Sequence, residues 1–262
     1  MRKNVKEFDA APFCLTKVFD SVQSLLSTDS PREKLLVILG ATSTGKSSLA
    51  LEIAQRFNTE IISADSMAVY RNFNVGTAKP SPEELQRVPH HLIDILDAEE
   101  KFSVGEFVRR ARPIISELNL RGKIPIVAGG TGLYIQALVE GYELGAGKSL
   151  ISHYKRTDEL IYNALVFGLT AERARLYDRI NRRTEEMFAK GLVEEVQNLL
   201  ASGISPSAQA MLGIGYKETV EHLLEGASLD ETISKVSQAT RNFAKRQLTW
   251  YRRMKYIQWL KI

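Results

Sequence analysis

The 262-residue sequence holds a single cysteine, Cys14, and no acidic residue beyond Glu231. With one cysteine no internal disulfide can form, and a reducing, cytoplasmic setting is the expectation. Cysteine clusters that would complete a zinc site are absent too. No apolar run approaches the roughly 20 residues needed to cross a bilayer, so no membrane partner is expected. The opening residues, Met-Arg-Lys-Asn-Val-Lys-Glu-Phe-Asp, include acids and lack a continuous apolar stretch, which argues against a signal or transit peptide. The acid-free end instead holds Lys235, Arg241, Lys245, Arg246, Arg252, Arg253, Lys255 and Lys261, with aromatics between them. Net charge is only +4, so this asymmetry is local. A basic, aromatic segment suits a polyanion such as RNA or DNA, and equally a solvated helix face.

Apolar residues at 44% and charged residues at 25% are ordinary for a globular protein. The length suffices for one large α/β domain, or such a domain with a helical addition. Residues 1–33 read as a polar, partly helical extension with no assignable role. Residues 35–39, 60–64, 124–128 and 163–169 are short apolar runs of strand type. Residues 47–57 and 104–120 have helical periodicity, and Ser81 is a candidate cap for a helix opening at Pro80. From Ala171 onward the pattern is helical, over 171–202, 216–225 and 229–254. Strands apolar on both faces and alternating with helices specify an α/β fold: a parallel sheet covered on both sides. One domain is expected over 34–262, containing a Gly/Ser/Lys-rich junction at about 145–158 and a helical C-terminal part at 171–262.

The strongest signal is Gly40-Ala41-Thr42-Ser43-Thr44-Gly45-Lys46-Ser47, set between an apolar strand and a helix. That is the context a phosphate-binding loop requires. Its glycines let backbone N–H groups turn toward phosphate oxygens, and the helix N-terminus adds its dipole. Lys46 would neutralise charge and Ser47 could ligand Mg²⁺. On its own the loop marks a nucleotide-binding, ATP-binding enzyme of the P-loop NTPase-like class. Such enzymes also need a carboxylate at a nearby strand end to hold the metal. The strand 124–128 ends in Gly-Gly-Thr without one, whereas the strand 60–64 ends in Asp65. Asp65 sits where a substrate-side base would, or where a helix cap would. His90 and His91 are adjacent and point in different directions, so packing or hydrogen bonding suits them better than chelation.

These pieces together resemble the bacterial tRNA dimethylallyltransferases. The resemblance rests on the phosphate loop and on Ile62-Ser63-Ala64-Asp65-Ser66-Met67-Ala68-Val69-Tyr70, Asn74-Val75-Gly76-Thr77-Ala78-Lys79-Pro80 and Val88-Pro89-His90-His91-Leu92-Ile93-Asp94. It continues through Phe102-Ser103-Val104, Ala128-Gly129-Gly130-Thr131-Gly132-Leu133-Tyr134, Leu212-Gly213-Ile214-Gly215-Tyr216-Lys217 and Lys245-Arg246-Gln247-Leu248-Thr249-Trp250-Tyr251-Arg252. It implies that the loop grips dimethylallyl diphosphate with Mg²⁺, and that the dimethylallyl group passes to the exocyclic amine of the adenosine beside the anticodon. By the same resemblance Asp65 is the general base, Thr42 faces the reacting groups and Arg183 helps to hold the diphosphate. Asp65, Ser66, Met67, Ala68 and Thr131, with the segments 212–217 and 245–252, match tRNA-contacting regions. The partner implied is the tRNA anticodon stem-loop, and a monomer is expected.

Read without the resemblance, Arg179, Arg182 and Arg183 are a solvated helix face. Trp250 and Tyr251 are core, and Tyr216 is a packed aromatic after a turn. The family carries a helical insertion reaching over the anticodon arm, and the interval 145–158 is too short for it. Weakened tRNA affinity follows as an expectation. Three rival functions fit parts of the pattern: a P-loop small-molecule kinase, prenylation of free adenine nucleotides, and an RNA-binding remnant without turnover.

Overall fold

The computed structural model describes residues 10–142 and 160–262. The elements run β1 (Ala11–Pro12), α1 (Leu15–Ser27), β2 (Lys34–Gly40), α2 (Lys46–Arg56), β3 (Ile61–Ser63), α3 (Pro82–Arg87), β4 (His90–His91), α4 (Val104–Leu120), β5 (Ile126–Gly129) and α5 (Gly132–Val139). They continue with β6 (Asn163–Thr170), α6 (Arg173–Ala189), α7 (Leu192–Ala201), a 3₁₀ turn (Gln209–Leu212), α8 (Tyr216–Glu225), α9 (Leu229–Tyr251) and β7 (Gln258–Lys261). The strands form one sheet, ordered β1-β7-β6-β2-β5-β3-β4. Every pairing is parallel. The junction at 145–158 and residues 1–9 lie outside the described residues.

Strand alternation sorts β2 between two cores. Leu35, Val37 and Leu39 join the cluster that holds α4, α5 and α7 residues. Leu36 and Ile38 join Leu49 and Ile53 of α2 and Val18, Val22 and Leu25 of α1. Thus residues 15–27 cover one face of the sheet. At i, i+4 and i+7, Val18, Val22 and Leu25 form one helical stripe.

Two expectations are corrected. The helical stretch expected over 171–202 is two helices, because Gly191 at φ 95° breaks the ladder between α6 and α7. The helix expected over 229–254 ends at Tyr251. The chain then forms β7, which pairs with both β6 and β1. Other boundaries hold closely: α4 spans Val104–Leu120, and Ser81 caps α3 in a full capping box with Glu84. Near the junction, Ile161 N–H donates to the Val139 carbonyl at 2.9 Å, so the chain returns beside the point it left.

Candidate active site

The phosphate loop leaves β2 at Gly40 and enters α2 at Lys46. At Gly40 a Cβ would stand 2.6 Å from Thr44 Oγ1 and 2.9 Å from the Leu169 carbonyl, so only glycine fits there. Ser43 (φ 63°) and Gly45 (φ 80°) take left-handed backbone and curl the loop. Thr44 Oγ1 donates to the Ala41 carbonyl at 2.8 Å and braces the turn from behind. Ala41 and Thr44 are buried, while Thr42, Ser43, Lys46 and Ser47 line a cavity of about 440 Å³. Ser43 Oγ is buried there without a hydrogen-bond partner among the described residues.

Lys46 carries the clearest electrostatic signature. Desolvation, reinforced by the Arg183 guanidinium and opposed by Asp65, brings it down to about 8. Desolvation also lowers Arg183, against the pull of Asp65 and Glu186. Two crowded cations and one carboxylate therefore share a cleft that an anionic ligand would relax. Arg183 lies in the cavity wall with Ile180, Thr184 and Met187 of α6. Arg182, by contrast, is exposed and paired with Asp178 at 2.9 Å.

Asp65 follows β3 after Ala64. Its Oδ1 accepts from Met67 N–H at 2.8 Å and more weakly from Ala68 N–H at 3.4 Å. The capping role read from the sequence is thus present, and among the described residues it engages one oxygen only. Thr131 Oγ1 accepts from Ser66 N–H at 3.2 Å, and Thr131 N–H donates to Ala64 O at 3.1 Å. Asp65, Ser66, Met67, Ala68 and Thr131 all face the same cavity as the phosphate loop.

Helix α9 closes the site from above. Gln247 Oε1 accepts from Thr42 N–H, and its Nε2 donates to the Gly130 carbonyl, both at 2.9 Å. Tyr251 Oη donates to the same carbonyl at 2.8 Å. A Cβ on Gly130 would meet Gln247 at 2.5 Å, and one on Gly132 would meet Trp250 at 2.6 Å. The Gly-Gly-Thr-Gly spacing therefore seats α9. Within 245–252, Gln247 and Tyr251 are interior ties and Leu248 packs with Leu176 and Ile180. Lys245, Thr249 and Arg252 are exposed, while Arg246 lines the cavity rim with its guanidinium 5.7 Å from the Phe243 ring centre.

In the segment 212–217, Leu212, Gly213 and Ile214 line the cavity. Gly215 takes φ 94°, and Lys217 is exposed. Tyr216 is the packed aromatic of the residue-level reading. It is fully buried 4.8 Å from the Phe73 ring, and it donates to Glu195 Oε1 at 2.6 Å. His90 Nδ1 pairs with the Val88 carbonyl at 2.8 Å, and His91 Nε2 with Glu60 at 2.7 Å, the hydrogen-bonding roles expected. No group of three or more His, Cys, Asp or Glu that could hold a metal occurs among the described residues. Sequence reasoning missed the apolar wall of Ile180, Met187, Val236 and Phe243, whose signal was the i, i+7 stripe of α6. It also missed Glu195, which carried none.

Fold and site define a P-loop-type α/β enzyme whose cleft sets a cationic phosphate cradle opposite a carboxylate. The sequence model described as IPP transferase matches residues 68–149 and 142–254, and that described as Isopentenyl transferase matches residues 33–98. The chain belongs to the IPP transferase family. It is 39% identical to the tRNA dimethylallyltransferase of Pelotomaculum thermopropionicum, over 90% of this chain and 93% of that one. That alignment spans 293 residues, more than this chain contains, so the relative carries residues with no counterpart here. The tRNA isopentenylpyrophosphate transferase of Bacillus halodurans superposes with a TM-score of 0.80 at 36% identity, covering 88% of this chain and 90% of its own. The Staphylococcus epidermidis enzyme of similar name gives 0.79 at 34%, covering 88% and 93%. No helix of the described residues is long and apolar enough to cross a membrane.

Proposed function

We propose that this chain transfers a dimethylallyl group from dimethylallyl diphosphate to the exocyclic amine of the tRNA adenosine 3′-adjacent to the anticodon. One observation carries the reading: a single cavity holds the cationic cradle, an apolar wall and Asp65. Dimethylallyl diphosphate has a charged end for Lys46 and Arg183 and an apolar end for Ile180, Met187 and Phe243. In the reaction a bond forms between the amine nitrogen and the allylic carbon, and the carbon–oxygen bond to diphosphate breaks. The electron pair leaves with the diphosphate, where Lys46, Arg183 and the loop N–H groups meet the developing charge. Asp65 accepts the amine proton, and Thr42 stands beside the reacting groups.

A donor set of one hydroxyl without an acidic cluster suits Mg²⁺, which keeps waters and takes substrate oxygens. Ser47 would hold it, and when bound it would neutralise the leaving diphosphate. The tRNA would meet Ser66, Met67, Ala68, Thr131 and the outward groups of 212–217 and 245–252, with Lys217, Lys245, Arg246 and Arg252 toward phosphates. The residues that the longer relatives add would fall at the 145–158 junction, where the family match divides. This chain would then grip the anticodon arm less tightly.

The test is incubation with Mg²⁺, labelled dimethylallyl diphosphate and unmodified tRNA, an anticodon stem-loop or AMP. Label entering tRNA supports the proposal. Label in AMP alone, or ATP hydrolysis alone, overturns it. The length deficit favours one second reading, an RNA-binding remnant, which would bind tRNA and transfer no label.

A further inference from the structure

Within the loop 74–80, residues 76–80 line one side of the cavity, yet the mechanism uses none of them. Gly76, Thr77, Ala78, Lys79 and Pro80 all face it, opposite Leu212, Gly213 and Ile214. The loop has no regular ladder to hold it. Ala78 takes φ 48°, left-handed backbone that a non-glycine residue adopts only under constraint. Lys79 is pinned at its tip, donating to the Tyr70 carbonyl and to Asp94 Oδ1, both at 2.5 Å.

The other end of the loop is held by Glu195 in the first turn of α7. Glu195 Oε2 accepts from Asn74 N–H at 2.9 Å and from Val75 N–H at 2.8 Å. Oε1 accepts from Gly76 N–H at 3.2 Å and from Tyr216 Oη at 2.6 Å. One carboxylate thus gathers three successive backbone donors and the residue that ends the opposite wall. The two walls also touch directly, since a Cβ on Gly76 would lie 2.5 Å from the Tyr216 ring. Glu195 itself does not line the cavity, so it acts only through what it holds.

We propose that Glu195 is a positioning residue for the RNA acceptor, joining the 74–76 loop to the Gly215–Tyr216 turn and so setting the width of the cavity beside Asp65. The inference rests on the reading that the acceptor adenosine enters at this end. The phosphate cradle lies on other elements and does not depend on the tie. Glu195→Gln keeps the shape but turns an NH₂ group toward N–H donors, so at least one of the four bonds becomes a repulsion. Tyr216→Phe removes the hydroxyl's bond to Glu195 and keeps the ring packing.

The experiment measures steady-state transfer and tRNA filter binding on the full chain. For Glu195→Gln the expected result is about a tenfold rise in the tRNA KM and Kd, from loss of charged hydrogen bonds. The KM for dimethylallyl diphosphate should hold within about twofold, and Tyr216→Phe should fall between wild type and Glu195→Gln. Unchanged tRNA constants overturn the proposal. So does a parallel rise in both substrates' KM, which marks general loosening. If Glu195→Gln does not fold, Tyr216→Phe decides alone, and an unchanged tRNA Kd overturns the tie. A wild-type chain that binds tRNA without transferring label refutes the proposed function instead, and the binding comparison still reads the tie.

Discussion

Gln247 and Thr42, 205 positions apart, share a hydrogen bond in which the side-chain amide of α9 accepts an N–H of the phosphate loop at 2.9 Å. The other end of the same amide holds Gly130 beyond β5. Gln247→Ala leaves a buried donor and acceptor short of this partner, at a cost of about 1–3 kcal/mol. A lowered Tm together with weaker dimethylallyl diphosphate binding by calorimetry is the expected pair of results. A lowered Tm with unchanged ligand affinity would show that the loop keeps its shape alone.

Asp65→Asn keeps the Oδ1 acceptor for Met67 and removes the ability to take a proton. Turnover should fall by roughly 10²–10⁴, the usual contribution of a general base, while diphosphate affinity changes little. Single-turnover transfer to tRNA measures the first and calorimetry the second. A variant of wild-type rate would remove Asp65 from the role of base.

Lys46, brought from its ordinary 10.5 to about 8, ties ligand binding to pH. Between these values the unfolded chain carries more protons than the folded one, so this group's contribution to stability rises with pH across the window. Diphosphate affinity runs the other way and declines as pH passes about 8, because the ligand needs the ammonium form. Binding near pH 8.5 should therefore take up a fraction of a proton, seen by calorimetry in two buffers of different ionisation enthalpy. Lys46→Met should abolish that uptake; uptake that persists would assign the proton elsewhere.

Leu25→Ala should destabilise the chain by about 2 kcal/mol, the low end for such truncations because the residue sits at the margin of its cluster. The KM for dimethylallyl diphosphate should stay as it was, since α1 lies against the sheet face far from the loop. Chemical denaturation and steady-state transfer check the two halves. A large rise in that KM would mean that α1 reaches the site through the sheet.

Much of the fold was legible because strands buried on both faces leave continuous apolar runs, as at Leu35 to Leu39. β7 was not, because it is a four-residue strand in which only Leu260 is buried, and pairing with β6 and β1 organises it. Residues 1–33 read as a polar extension, and nothing local showed that Val18, Val22 and Leu25 of α1 cover a sheet face. In the site, Asp65 stood out by ending a strand that the phosphate loop would neighbour. Arg183 looked like one of three solvated arginines, and only the packing of α6 against α9 turns it inward. Glu195 was invisible, since three of its partners are backbone amides about 120 positions away. A sequence does not advertise such donors.

The hydrogen bond from Ile161 to Val139 has a consequence for how this fold can change over time. It fastens the end of α5 to the approach to β6, so the two ends meet whatever length of chain is spliced between. Lengthening a loop whose ends already meet costs only about 0.6 kcal/mol per doubling. The position can therefore take segments of different length at little cost to the rest of the fold.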